Sequence, residues 1–118
     1  LEVEKFNNNI WECAYGEGYI GDVLEKEGYK VFKTDIIERL RVLDRCMDFL
    51  KFNTKIERNV DIVTNPPYKY AKEFVEKSLS VVKVNCKVAM LLKLTFLESV
   101  SRRKLFFTKC LYLCKVKL

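Results

Sequence analysis

The only two prolines of this 118-residue chain stand side by side, at Pro66 and Pro67. Directly before them runs Val60-Asp61-Ile62-Val63-Thr64, a short β-branched apolar segment, with Asn65 at the junction. Two fixed φ angles and two missing N–H donors cannot continue a central strand. The segment therefore reads as a buried strand that stops at a stiff turn. The same logic repeats along the chain. Ile10–Ala14 is an apolar strand running into glycines, Tyr19–Glu27 a helical pattern, and Tyr29–Lys33 a second strand ending near Asp35. The spacing of Ile36–Arg45 predicts a helix. Tyr70–Val82 predicts another, with Phe74, Val75, Ser78 and Leu79 on its inner face. Lys87–Leu94 is continuously apolar between its lysines, as in a strand buried on both faces, and it is followed by a short helix over Ser99–Phe107 and a last strand over Leu111–Val116.

Strands alternating with helices imply parallel pairing through crossover connections. The expected fold class is thus α/β, a Rossmann-like doubly wound, mostly parallel sheet in one domain spanning 1–118. Ligands of such sheets sit beyond the carboxyl ends of the strands. Glu12–Gly18, Asp35 and Asn65–Tyr68 all fall at such ends, so three separate segments are expected to converge on one edge.

Composition limits the chemistry. The chain is 49% hydrophobic and 32% charged, as in an ordinary folded protein. No apolar stretch reaches the ~18 residues of a membrane span. It contains no histidine, which excludes histidine-based acid–base or triad chemistry. Five cysteines (Cys13, Cys46, Cys86, Cys110, Cys114) lack paired C-x-x-C spacing. No metal site is expected, and reduced, cytoplasmic thiols are the reading that fits. The charge is lopsided. Residues 1–68 carry 10 Lys/Arg against 13 Asp/Glu, whereas 69–118 carry 12 against 3, which together give the net +6. A basic half suits a polyanionic partner, or else a lysine-decorated surface that serves solubility. Arg102, Arg103 and Lys104 form the densest cluster and are the first candidates for phosphate contacts.

At Asn65-Pro66-Pro67-Tyr68 the residue types themselves specify a task. Pro66 and Pro67 offer carbonyls, Asn65 a side-chain carbonyl, and Tyr68 a flat ring. Such a turn can accept both hydrogens of an –NH2 group and stack the ring that carries it. The amino group of a nucleobase is a poor nucleophile because its lone pair is delocalised. Two acceptors on its hydrogens favour pyramidalisation and leave the lone pair free to attack. The tetrapeptide resembles the catalytic motif of S-adenosylmethionine-dependent amino methyltransferases, above all the adenine-N6 DNA methyltransferases of phage and prophage type.

Other segments fit the same resemblance. Gly16-x-Gly18-x-x-Gly21 satisfies the dinucleotide fingerprint of nicotinamide enzymes. Glu12-x-Ala14-x-Gly16-x-Gly18 also resembles the acidic-first methyltransferase version, in which the loop Glu12-Cys13-Ala14-Tyr15-Gly16 wraps the methionine part of the cofactor. Asp35, with Ile36 beside it, lies 17 positions beyond Gly18, near the ~20 expected of a carboxylate on ribose hydroxyls. It suits either cofactor. Met47-Asp48-Phe49-Leu50 resembles the family's acidic-aromatic element beside the cofactor adenine. A helix-capping Asp48 with a core Phe49 reads equally well. Leu91–Glu98 is similar to the strand and loop that help enclose the flipped base, where Phe96 either walls the base opposite Tyr68 or faces the core.

The resemblance implies the class I methyltransferase sheet, S-adenosyl-L-methionine as cofactor and DNA as substrate. RNA or a protein glutamine amide as substrate, an inactive cofactor-binding remnant, and an NAD-binding Rossmann oxidoreductase remain alternatives. The family usually has a segment upstream of the glycine motif, a terminal antiparallel strand pair and a target-recognition region, for which nine residues before Ile10 and the stretch 111–118 leave little room. Relative to that family the sheet is expected to be truncated at both ends, with a homodimer or a separate recognition subunit as candidate partners.

Overall fold

Asn9–Glu12, the first strand, is the pivot of the architecture. The computed structural model describes residues 5–93 and 111–116. Their order is β1 (Asn9–Glu12), α1 (Tyr19–Lys26), β2 (Lys30–Asp35), β3 (Arg45–Cys46), β4 (Val60–Thr64), α2 (Ala71–Val81), β5 (Val88–Lys93) and β6 (Leu111–Val116). Short 3-10 turns occupy Phe49–Lys51 and Tyr68–Tyr70. The strands form one sheet in the order β3-β2-β1-β4-β5-β6. Every pairing among the described residues is parallel. Asn9 lies beside both Lys30 and Val60, so β1 is flanked on either side and the chain's path reverses there.

Side-chain alternation along each strand sends neighbours to opposite faces, and the two helices each cover one. Leu24 of α1 packs with Ile10, Val31, Val63 and Ala89. Phe74, Val75 and Leu79 of α2 pack with Trp11, Ile62, Val88 and Met90 on the other face. Adjacent residues such as Ile62 and Val63 thus serve separate cores, as the continuous apolar runs require. The inner face expected of α2 is observed: Phe74, Val75, Ser78 and Leu79 are all buried. Trp11 anchors its core through edge contacts with Phe49 (5.1 Å, 88°) and Phe52 (5.0 Å, 84°).

One expected element is absent. Residues 36–44 form an irregular loop instead of a helix. Its carboxylates take over the bonding that a helix would need. Asp35 Oδ1 accepts from Ile36 N (2.7 Å), Glu38 from Leu43 N (3.1 Å) and Asp44 from Lys33 N (2.8 Å), while Arg41 reaches across to both carboxylate oxygens of Asp22 on α1. Ile36, Ile37 and Leu40, which stand at helical spacing, are 57–87% exposed, as is Val42, and have no core to face. The two-residue strand β3 follows this loop and pairs with the end of β2. The expected helix over Ser99–Phe107 lies outside the described residues. Among those residues, no helix is long and apolar enough to cross a membrane.

Candidate functional site

The ends of β1, β2 and β4 enclose an open cleft of about 390 Å³. Ala14 and Gly16 line it from the loop after β1, and Asp35 from the end of β2. Asn65, Pro66, Pro67 and Tyr68 line it from the turn after β4. The convergence expected from strand-end logic is therefore present, with every member of the tetrapeptide on the wall that faces the glycine loop.

Side chains buried beneath the floor of the cleft fix these ends against one another. Glu12, the last residue of β1, is 1% exposed. One of its carboxyl oxygens accepts from Ala14 N (3.1 Å) and from the Thr64 hydroxyl, so β1 and β4 are tied one residue before Asn65. Burial pushes the Glu12 carboxyl up to about 8. The Thr64 and Ala14 hydrogen bonds only partly offset this, and the nearby charge of Asp35 adds to it. Asp35 ties β2 to the same loop. Its Oδ2 accepts from Gly16 N (2.8 Å) and pairs with Arg39 (2.9 Å). Tyr15 N donates to Thr34 O (3.0 Å), and the Thr34 hydroxyl receives the Trp11 indole N–H (2.8 Å).

The glycine motif divides its work. Gly16 (φ +59) faces open space: a Cβ there would meet nothing nearer than Ala14 O at 3.9 Å. Gly18 and Gly21 instead make room for Tyr15. A Cβ on Gly18 would stand 2.6 Å from the phenol oxygen, and one on Gly21 2.6 Å from Tyr15 Cε1. Tyr15 is correspondingly buried, with Lys33 Nζ 5.8 Å from its ring centroid. Only the Gly16 side of the fingerprint is open to a ligand.

At the opposite wall, the 3-10 turn begins at the Pro67 carbonyl, which accepts from Tyr70 N (2.9 Å). The Pro66 carbonyl takes no part in that turn. Asn65 is exposed, and its carboxamide has no hydrogen-bond partner among the described residues. The exposed Asn65 carboxamide thus stands at the cleft on a backbone held by two prolines, with the buried Pro66 in the lining beside it.

The remaining expected residues separate into supporting and distant groups. Cys13 is buried in the core and burial pushes its thiol well up, so it packs rather than reacts. Ile36 is exposed next to Asp35. Asp48 caps the 3-10 turn, accepting from Leu50 N (3.0 Å), and Phe49 is a core residue with 1% exposure. That is the structural one of the two readings of this pair, and it leaves the Phe49 ring no face for an adenine. Phe96, Arg102, Arg103 and Lys104 lie outside the described residues. Two residues that the sequence did not single out belong to the site: Arg39, which lines the cleft and pairs with Asp35, and Thr64, which holds Glu12. The four-residue spacing of Asp35 and Arg39 was the available signal for the first. Nothing marks Thr64 within an apolar strand. Among the described residues no group of His, Cys, Asp and Glu is arranged to hold a metal ion. Comparison with known proteins found no matching family model, curated protein or solved structure.

Proposed function

We propose that this chain transfers a methyl group from S-adenosylmethionine to the N6 amino group of adenine in DNA, on a Rossmann-like sheet of the class I methyltransferase type. The observation that carries the proposal is the shared cleft, in which Asn65-Pro66-Pro67-Tyr68 faces the Gly16 loop across the ends of β1 and β4. The order β3-β2-β1-β4-β5-β6 is the doubly wound order whose ligands bind where the chain's path reverses. A cleft of about 390 Å³ is within the range of cofactor pockets.

The loop itself suits a sulfonium. Its N–H groups at Ala14, Tyr15, Gly16 and Gly18 all have acceptors within the protein, and a sulfonium needs no cradle of free amides. The first turn of α1 carries no side-chain cap and keeps N–H groups that a pyrophosphate could also use, so the choice over a dinucleotide rests on the tetrapeptide across the cleft. Gly16 permits close approach of the methionine end, and Asp35 Oδ1, which accepts only from Ile36 N, keeps one lone pair for a ribose hydroxyl. When bound, S-adenosylmethionine supplies an electrophilic methyl group.

The protein's own part is positional. A target adenine must leave the base stack for its amino group to be reached. Asn65 Oδ1 and the Pro66 carbonyl accept its two N–H bonds, and Tyr68 stacks on the ring. The nitrogen lone pair is then directed across the cleft toward Gly16. Formation of the N–C bond would be matched by breaking of the cofactor's S–CH3 bond, leaving a neutral thioether. The strongly acidic ammonium on the methylated nitrogen would give its surplus proton to water in the open cleft, so no histidine or shifted general base is required. Orientation of this type can supply on the order of 7–11 kcal/mol of barrier reduction. The basic excess of residues 69–118 favours a nucleic acid over a protein amide. Incubation with methyl-tritiated cofactor and adenine-containing DNA, RNA or whole-cell protein tests the assignment. Label in DNA adenine supports it. Label in RNA or in protein alone moves the substrate, and no label anywhere removes the activity.

A further inference from the structure

A second hollow lies at the amino ends of the strands, away from the cleft. Its volume is about 430 Å³, and it shares no lining residue with the cleft. The sheet register explains its place. Asn9 aligns with Lys30 and Val60, and Trp11 with Phe32, so these side chains point to the face covered by α2. Helix α2 packs over β4 and β5, and on that face no described helix continues over β2, whose other face is covered by α1. The result is an aromatic floor with one open side. Trp11 is edge-on to Phe32 at 6.1 Å, and Phe32 is 45% exposed although it is a mid-strand aromatic.

The rim carries charge of one dominant sign. Lys30 and Arg58 both line the hollow, both are exposed, and neither belongs to an ion pair among the described residues. The one acid of the lining, Asp44, already accepts from Lys33 N (2.8 Å). An apolar, ring-lined cavity with a few polar groups at its mouth is the usual form of a small-ligand site, and two unpaired cations select the polar end of the ligand. We propose that this hollow binds a small aromatic anion, its ring system against Trp11 and Phe32 and its acidic group between Lys30 and Arg58. The site is independent of the methyl-transfer reading, because it stands on different residues at the other end of the sheet.

Trp11 is the only tryptophan in the chain, so its emission reports occupancy of the hollow directly. The full chain is titrated at low salt with 8-anilinonaphthalene-1-sulfonate and, separately, with N-phenyl-1-naphthylamine, which has the same ring system without the sulfonate. Both should quench Trp11 saturably, the anion binding about five-fold more tightly, as two exposed charge contacts would give. Lys30→Ala with Arg58→Ala should bring the anion to the affinity of the neutral probe and leave the latter unchanged. Phe32→Ala should weaken both. Because all three side chains are exposed, the variants are expected to fold, and their circular dichroism should match that of the parent. Equal affinities of the two probes, indifference of the anion to the double substitution, or non-saturable quenching would each overturn the proposal. So would a shift of Trp11 emission with protein concentration alone, which would assign the hollow to a second copy of the chain.

Discussion

Replacing Glu12 by Gln should flatten the dependence of folding stability on pH between about 5 and 8. The Glu12 carboxyl is pushed from its ordinary 4.5 to about 8 by burial at the end of β1. Between those values the folded protein holds a proton that the unfolded chain has released, so stability falls as pH rises. The contribution is fully present below about 4.5 and lost as pH climbs through 8. From pH 5.5 to 7.5 the linkage amounts to about 2.5 kcal/mol, close to the limiting ~1.4 kcal/mol per unit. The window is unusually clean because the chain has no histidine and the Cys13 thiol is displaced upward, out of it. Glutamine keeps an oxygen for Ala14 N and the Thr64 hydroxyl, and its extra N–H donors impose a cost that is the same at every pH. Urea unfolding of both proteins at matched ionic strength, analysed as two-state transitions, reads the difference. Groups common to both proteins cancel. Parallel pH profiles would mean that Glu12 is ionised in the fold, and would refute the account of the floor of the cleft.

Gly21→Ala should destabilise by about 1–3 kcal/mol from overpacking against Tyr15, although alanine ordinarily favours a helix. Thermal melts would show this, and a stabilised variant would mean that the Tyr15 ring is not seated there. Asp35→Asn should weaken cofactor binding by at least about ten-fold, since it removes the charged acceptor that holds Gly16 N and Arg39. It should also cost about 1–3 kcal/mol in stability; calorimetric titration and chemical unfolding measure the two effects separately.

Much of this architecture was legible because single residues dominate their neighbourhoods. Val60–Thr64 had to stop at Pro66, and α2 displayed its inner face through Phe74, Val75, Ser78 and Leu79. Residues 36–44 misled because Ile36, Ile37 and Leu40 have helical spacing but no surface to bury against, while Asp35, Glu38 and Asp44 offered the backbone other partners. Pairs such as Asp48-Phe49 are ambiguous in principle. A carboxylate that accepts from a ligand amine and one that caps a turn use the same atoms, and only the burial of Phe49 separates them. The glycine motif hid a different fact: two of its three glycines accommodate Tyr15, a packing relation with no sequence signal. Thr64 was hidden likewise, as a hydroxyl in an apolar strand whose partner lies across the sheet.

The central claim is that Asn65 serves the reacting amino group and not the fold or the cofactor. Asn65→Ala tests it when S-adenosylmethionine affinity and single-turnover methyl transfer to adenine are measured on the same preparation. The expected result is affinity within about two-fold of the parent and transfer reduced by at least about 10²-fold, the scale set by loss of one aligned hydrogen-bonding group in an active site. Unchanged transfer, or loss of binding and transfer together, would contradict the claim.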